Sequence, residues 1–449
     1  QEAEGIYRQI IAAGTKNHAV YGNLAAICGM QGRFDELIDL LSQALELKPD
    51  SPEIHYNLGK ALEDNGDLSA AFVSYSKALE LRPHFPEAHG NLGNVLKEQG
   101  NLDAAIASYG KALELNPHFP EAHYNLGNAL KAQGNLDAAI ASYSKALELK
   151  PDYPDAHINL GNALEEYGDL SAAIASYNKA LEFKPDCSDA YNNLGNALQE
   201  YGGISAAIAS YGKALELRPC YPEAQGNLSM AELLIGDYKS GWERYEFRFQ
   251  ARADQGIINA VPRCPQWNGS DLEVNDELLL VSEQGLGDTL HFMRYALALR
   301  RQGIQISLCA PQKLHSLIRA SGIDPAPLTP EQANAVANGR WIPLLSVPRH
   351  LDVGPSNPII TEPYIKTTDE LMAKWRGILG GEKRPIIAVN WQGNPGHEKT
   401  NSKGRSLLLE AFAPIAQHAN ASLLSLQKGF GSEQLATCSF KDRFVRCQQ

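Results

Sequence analysis

Prolines at Pro49, Pro83, Pro117, Pro151, Pro185 and Pro219 stand 34 residues apart. Pro52, Pro86, Pro120, Pro154 and Pro222 keep the same step, with Ser188 filling the one gap. Leu58, Leu92, Leu126, Leu160, Leu194 and Leu228 are in phase, as are Gly59, Gly93, Gly127, Gly161 and Gly195. A second glycine series runs through Gly66, Gly100, Gly134, Gly168, Gly202 and Gly236. Residues 86–119 and 120–153 differ at only 7 of 34 positions. The first half of the chain is therefore one supersecondary unit used repeatedly, and a period of this length fits a pair of helices.

Within residues 120–153, PEAHYNLGNALKAQG reads as the first helix. The small Gly127 lets a neighbour come close, Gly134 ends the helix, and Asn135 to Asp137 turn the chain. DAAIASYSKALEL reads as the second helix, with Ile140, Tyr143, Ala146 and Leu147 at helical spacing. Pro151 stops it. One hairpin cannot hide its own apolar face, so neighbours stack into an all-α superhelix. The recurring NLG triplet, the later glycine and the KALEL close resemble the tetratricopeptide repeat (TPR) family. Full repeats span 18–51, 52–85, 86–119, 120–153, 154–187 and 188–221. Residues 1–17 look like an orphaned second helix, which predicts further chain before Gln1. Residues 222–250 form a degenerate last repeat ending in GWERYEFRF, bulky enough to cap against another domain.

Asn57, Asn91, Asn125, Asn159, Asn193 and Asn227 recur once per repeat. Asparagine is a poor residue inside a helix, so six in phase need a reason. Either the amides line a concave groove and bind a peptide backbone, or they bridge adjacent repeats. The first alternative is similar to the asparagine ladder of O-GlcNAc transferases. Asn94, Asn128, Asn162 and Asn196 form a further row one turn on. His55, His89, His123 and His157 also recur, but about 10 Å apart, as packed helices are, which is too far to share a metal.

The chain carries 40 basic and 52 acidic side chains, a formal charge of -12. A nucleic-acid binder that tracks phosphates shows a basic surplus instead. No apolar run reaches the roughly 18 residues a membrane span needs, and mean hydropathy is -0.30. Seven scattered cysteines with no CxxC form neither a disulfide framework nor a zinc site. A reducing cytoplasm is the expected compartment.

After residue 250 the 34-residue step ends. Residues 251–276 read as a linker. Then strands and helices alternate, the signature of a parallel α/β sheet. LLLVSE (278–283) is a strand, TLHFMRYALALRRQG a helix, ISLCA (306–310) a strand and QKLHSLIRASG a helix. WIPLLSV (341–347) contains another strand, and ELMAKWRGILG (370–380) is a helix. IIAVNW (386–391), LLLEAFAPIAQ (407–417) and LLSLQ (423–427) read as strand, helix and strand, followed by a short helix near Glu433. Residues 277–380 and 385–449 thus suggest two Rossmann-like halves. The second is too short, since such a half needs about 120 residues or more, so truncation at the C-terminus is expected.

Gly285 and Gly287 permit tight backbone after the first strand, and Asp288 is expected at the N-cap of the next helix. There it either caps the helix or faces the cleft at the strands' carboxyl ends as a general base. The loop NWQGNPGHEKTNSKGRS (390–406) joins a strand to a helix and carries Gly393, Gly396, Gly404, Lys399, Lys403 and Arg405. It reads either as a phosphate cradle or as a solvated loop. The strand–GLGD–helix segment resembles the heptosyltransferase-like glycosyltransferases (family 9, GT-B fold). The GW-x(2)-YE-x-R segment (Trp242 to Arg248), Trp267 to Gly269, and Trp391, Gly393 and Pro395 add to the resemblance. It implies that Asp288 is the catalytic base, with the nucleotide-sugar contacted by Gly285, Gly287, Gly393, Asn394, Lys399, Arg405 and Ser406. It also implies inverting transfer without metal or cofactor, to a protein or glycan held by the repeats. The family's D-S/T-x(3)-H-type segment has no counterpart before Gln449, so half the donor pocket is expected to be lacking and this chain inactive in transfer. The alternative is a non-catalytic TPR scaffold with a degenerate α/β appendage.

Overall fold

The computed structural model describes residues 2–251, 258–283, 285–354, 357, 362–390, 407–418, 420–427 and 431–445. The chain divides into two compact units, one of residues 1–255 with 352–356 and one of residues 256–351 with 357–449.

Among the described residues, the repeats of the first unit are helical. A lone helix α1 (Glu2–Ala12) precedes seven antiparallel pairs. These are α2 (His18–Met30) with α3 (Phe34–Leu47), and α4 (Pro52–Asp64) with α5 (Leu68–Leu81). Next come α6 (Pro86–Glu98) with α7 (Leu102–Leu115), and α8 (Pro120–Ala132) with α9 (Leu136–Leu149). Then follow α10 (Pro154–Tyr167) with α11 (Leu170–Phe183), and α12 (Ser188–Glu200) with α13 (Ile204–Leu217). The last pair is α14 (Pro222–Ile235) with the short α15 (Tyr238–Tyr245), and α16 (Arg248–Ala251) ends the unit.

The repeat residues explain each boundary. Pro52, Pro86, Pro120, Pro154 and Pro222 start first helices, where the missing N–H would have no partner anyway. Gly134 leaves α8 with φ +86°, a conformation costly for other residues. Asp67, Asn101, Asn135 and Asp169 then cap the second helices by accepting from backbone N–H groups three residues on. Between the helices of a pair, a tyrosine ring lies against a glycine. A Cβ on Gly127 would stand 2.6 Å from the Tyr143 ring, and one on Gly161 2.5 Å from that of Tyr177. Tyr75, Tyr109, Tyr143 and Tyr177 are fully buried in consequence. The glycine admits the largest side chain of each repeat core.

From α4 to α14, successive first helices touch one another across the repeats, whereas second helices meet mainly their own partner and the next first helix. First helices therefore line the inner side of the superhelix. At the end of the unit Arg244 Nε donates to the Glu232 carboxylate at 3.0 Å, and Ser229 Oγ donates to the Gly241 carbonyl at 2.8 Å. The GW-x(2)-YE-x-R motif thus closes the last repeat.

The second unit holds two small parallel sheets among the described residues. The first contains β1 (Glu277–Val281), β2 (Gln305–Cys309) and β3 (Arg340–Pro343) in the order β2-β1-β3, with Leu280 opposite both Leu308 and Ile342. The second pairs β4 (Ile386–Val389) with β5 (Ser422–Ser425). The five strands expected from the sequence are present, but among the described residues they form two small sheets and not clearly the expected Rossmann-like half followed by an incomplete one. The residues read as a linker contribute to the core, with Ala260 and Cys264 buried in one cluster with Leu279, Val281 and Trp341, and Trp267 is buried as well. Trp267 Nε1 donates to the Ser270 carbonyl at 2.8 Å, and Gly269, at φ +91°, lies against the His350 ring.

Two expected helices are broken. TLHFMRYALALRRQG forms α17 (Leu286–Phe292) and α18 (Arg294–Arg301), hinged at the fully buried Met293, whose ψ is -10°. LLLEAFAPIAQ forms a 3-10 turn, Leu409–Phe412, before the helix Ala413–His418. Pro414 accounts for this, because it has no N–H to close an α-helical bond back across this point. The segment near Glu433 is likewise a 3-10 turn, Ser432–Ala436.

Candidate functional site

The asparagine row sits on the first helices, and its amides reach across repeat boundaries. Asn125 Nδ2 donates to Asn94 Oδ1 at 3.0 Å, Asn159 Nδ2 to Asn128 Oδ1 at 2.9 Å, and Asn193 Nδ2 to Asn162 Oδ1 at 3.0 Å. Asn227 Nδ2 meets Asn196 Oδ1 at 2.9 Å, and Asn91 Nδ2 meets the hydroxyls of Tyr56 and Tyr75 at 3.2 and 3.3 Å. The second row receives another donor from the packed tyrosines. Tyr109, Tyr143, Tyr177 and Tyr211 give their hydroxyl hydrogens to Asn94, Asn128, Asn162 and Asn196 at 2.7 to 2.9 Å. Burial raises each of these phenols above the usual tyrosine range, so they stay protonated donors.

The sequence leaves bridging and groove lining as alternatives, and the geometry serves both. Each amide has two donor hydrogens and a carbonyl oxygen. The Nδ2 groups bridge. The Oδ1 atoms of Asn91, Asn125, Asn159, Asn193 and Asn227 accept nothing from the described residues, and all five side chains are half-buried. Asn57 is exposed and makes neither kind of bond among the described residues. A cavity of about 330 Å³ opens at this row, lined by Asn128, Lys131, Tyr143, Asn159 and Glu166.

The periodic histidines hold turns. Nε2 of His55, His89, His123 and His157 lies 2.9 to 3.1 Å from the carbonyl of the proline six residues before it. Burial lowers the pKa of His89, His123 and His157. Among the described residues no group of His, Cys, Asp and Glu is arranged to hold a metal, and no helix is long and apolar enough to cross a membrane.

In the second unit the N-cap of α17 is Gly285, at φ +111°, with no side-chain cap bond. Asp288 is not the cap, as the sequence reading has it; it lies in the first helical turn and is exposed. Glycine starts this helix because its backbone angle is closed to other residues. An added Cβ there would come within 2.6 Å of Asp288 Oδ2. Gly287 is exposed inside the helix with open space about it. Glu283, which the motif reading passed over, is buried just before the turn and accepts from the Leu345 N–H at 3.3 Å. Gly393, Asn394, Lys399, Arg405 and Ser406, together with Trp391 and Pro395, lie outside the described residues.

A TPR repeat model matches residues 30–66, 64–100, 93–134, 127–168 and 166–202, and a tetratricopeptide repeat model matches residues 188–219. A crystal structure of MamA is 31% identical, over 36% of this chain and 95% of that one, with a TM-score of 0.35. MamA 41-end from Desulfovibrio magneticus RS-1 is 27% identical, over 38% and 97%, with a TM-score of 0.36. YrrB, described as a TPR protein with an unusual peptide-binding site, is 24% identical, over 41% and 95%, with a TM-score of 0.37. No curated protein matches. The period, the paired helices and the family models agree on what the first unit is: the chain is a tetratricopeptide-repeat protein.

Proposed function

We propose that the repeats form a protein-interaction module that binds an extended peptide along the first helices. The row of unengaged Oδ1 atoms, one per 34-residue repeat, carries this reading. Backbone N–H groups are the natural complement of such acceptors. Packed helices stand about 8–10 Å apart and a polyproline II chain, with three residues per turn, rises about 3.1 Å per residue, so every third peptide N–H meets an asparagine on the same side. The test is to select a binder from a random dodecapeptide library and titrate it into the chain and into the triple variant Asn125→Ala, Asn159→Ala, Asn193→Ala. A loss of affinity of tenfold or more supports the reading. Unchanged affinity with a lower melting temperature assigns the row to stacking alone.

A second reading is sugar transfer from a nucleotide-sugar to a protein or glycan recruited by the groove. One feature supports it. The order β2-β1-β3 reverses direction at β1, and ligands of open parallel sheets bind at the carboxyl ends beside such a reversal. The turn from β1 to α17, with exposed Asp288, lies at that end. In this reading Asp288 takes the acceptor's proton, while Lys399 and Arg405 neutralise the departing diphosphate. Gly285, Gly287, Gly393, Asn394 and Ser406 approach the donor. Calorimetric titration with UDP-, GDP- and ADP-sugars tests it. Heat with one donor and loss of transfer in Asp288→Asn support it; no heat with any donor removes it.

A further inference from the structure

The first helices from α4 to α14 share one pattern, and the last three depart from it. Where α4, α6 and α8 run out at Asn65, Gln99 and Gln133, α10, α12 and α14 run out at Tyr167, Tyr201 and Ile235. Lys60, Asn94, Asn128, Asn162 and Asn196 are followed in phase by Met230, and Asp64, Glu98, Ala132, Glu166 and Glu200 by Leu234. Asn128, Asn159, Ala132 and Glu166 line one cavity, so these phases face the groove, and Met230 and Leu234 carry them onto α14. Tyr167, Tyr201, Met230, Leu234 and Ile235 are each more than half exposed. The bonds from Asn193 to Asn162 and from Asn227 to Asn196 hold the three helices side by side. The amide row therefore ends in an apolar patch, at positions that carry amides, acids or lysine in the earlier repeats.

The charges change along the same direction. Beyond the row asparagine of α4, α6 and α8, Lys60, Lys97 and Lys131 balance Glu63, Asp64 and Glu98. Beyond that of α10, α12 and α14 stand Glu165, Glu166, Glu200 and Glu232, with no lysine or arginine. Glu232 is neutralised by Arg244 at 3.0 Å, and Glu166 meets Lys131 only at 3.9 Å. The carbonyl ends of the three helices add negative potential. Exposed tyrosine faces also attract guanidinium and ammonium groups. A segment that complements this surface brings apolar area and positive charge together.

We infer that α10, α12 and α14 form a docking surface for a cationic peptide segment, in which one aliphatic side chain is joined at three-residue spacing by arginine or lysine. The inference rests on the peptide-binding reading and adds to it which peptides are chosen and at which end of the row. With three peptide residues per repeat, the aliphatic side chain lies over Met230 and Leu234. The two cations then reach Tyr201 with Glu200 and Tyr167 with Glu166.

The probes are the heptapeptides acetyl-LAARAAR-amide, acetyl-LAAEAAE-amide and acetyl-AAARAAR-amide, titrated by calorimetry into the full chain. The first is expected to bind at least tenfold more tightly than either of the others, and to weaken as sodium chloride screens the exposed charges. The place is read by peroxide oxidation of methionine, mapped by mass spectrometry. Met30 and Met230 are exposed and Met293 is buried, so the first two form sulfoxides in the free chain. The bound LAARAAR peptide is expected to slow oxidation of Met230 several-fold while Met30 reacts as before. Met230→Asn with Leu234→Glu copies α12 at two exposed positions, and is expected to cost this peptide at least tenfold in affinity with the melting temperature unchanged. Gln199→Lys with Glu200→Ala copies Lys131 and Ala132, and is expected to weaken both arginine peptides several-fold. No heat from LAARAAR, equal affinity for LAARAAR and LAAEAAE, or a bound peptide that leaves Met230 reactive overturns the inference. So does a free chain in which Met230 resists peroxide as Met293 does, which assigns the patch to another part of the chain or, where dilution restores reactivity, to a second copy. A library-selected peptide that loses affinity on Asn125→Ala, Asn159→Ala and Asn193→Ala while Met230 stays reactive removes the patch and leaves the peptide-binding reading standing.

Discussion

At the scale of single residues, the repeat depends on pairs in which one member makes room for the other. Gly127 and Tyr143 are such a pair, and the added methyl in Gly127→Ala would stand 2.6 Å from a fully buried ring. Overpacking of this kind costs about 1–3 kcal/mol, which denaturant unfolding will show. Tyr143→Phe keeps the packing and removes only the bond to Asn128, so a smaller loss of about 1 kcal/mol is expected. The histidines supply a pH signature. Burial lowers the pKa of His89, His123 and His157, so the unfolded chain binds protons more readily than the folded one. Their contribution is complete above the unfolded value of about 6.5 and is lost as pH falls through the lower folded values. Changing all three to glutamine, which at Gln225 points its Nε2 at the Pro219 carbonyl, should flatten the fall in melting temperature between pH 7 and 5. An equally steep fall in the variant would contradict the assignment.

At the scale of elements, the two units differ in how much their sequence reveals. Helix boundaries in the repeats are legible because each is marked by a residue with one physical use: proline at the start, glycine at φ +86° after α8, asparagine at the next cap. Asn135→Ala removes such a cap and should cost about 1 kcal/mol, read as a lower urea midpoint. The turn after β1 misleads for a related reason. Asp288 is a common capping residue, yet φ +111° at Gly285 starts the helix three residues earlier. Gly285→Ala should therefore destabilise the second unit by about 1–2 kcal/mol through backbone strain. Gly287→Ala, inside the helix with open space around it, should stabilise it by a few tenths to about 1 kcal/mol. Similar effects from the two substitutions would contradict this account of the turn. The sequence holds bridging open as an alternative but does not show its partners: Asn159 meets Tyr124 and Asn128 at separations of 35 and 31 residues, which straddle the period. They become visible only when neighbouring helices are placed side by side.

At the scale of the whole molecule, a repeat stack is held by nearest-neighbour interfaces, so its stability is close to a sum over repeats. Residues 86–119 and 120–153 are nearly identical, and the junctions on either side use the same asparagine–tyrosine contacts. Deleting residues 120–153 should give a chain that keeps its helicity per residue and unfolds at a modestly lower temperature; loss of cooperative unfolding would count against interchangeable junctions. The repeats announce their own architecture because the period is the packing. The second unit has no such redundancy, and its five described strands in two sheets follow from alternation alone, without the strand order or the burial of Trp267. The central functional claim is that the asparagine oxygens read peptide backbone while their nitrogens tie the stack together. Its most direct test leaves the protein untouched. A selected peptide is compared with versions N-methylated at every third backbone position, in each of the three registers, by calorimetry against the unmodified chain. The account predicts that one register loses affinity at least tenfold while the others bind nearly as the parent; equal binding by all three would contradict it.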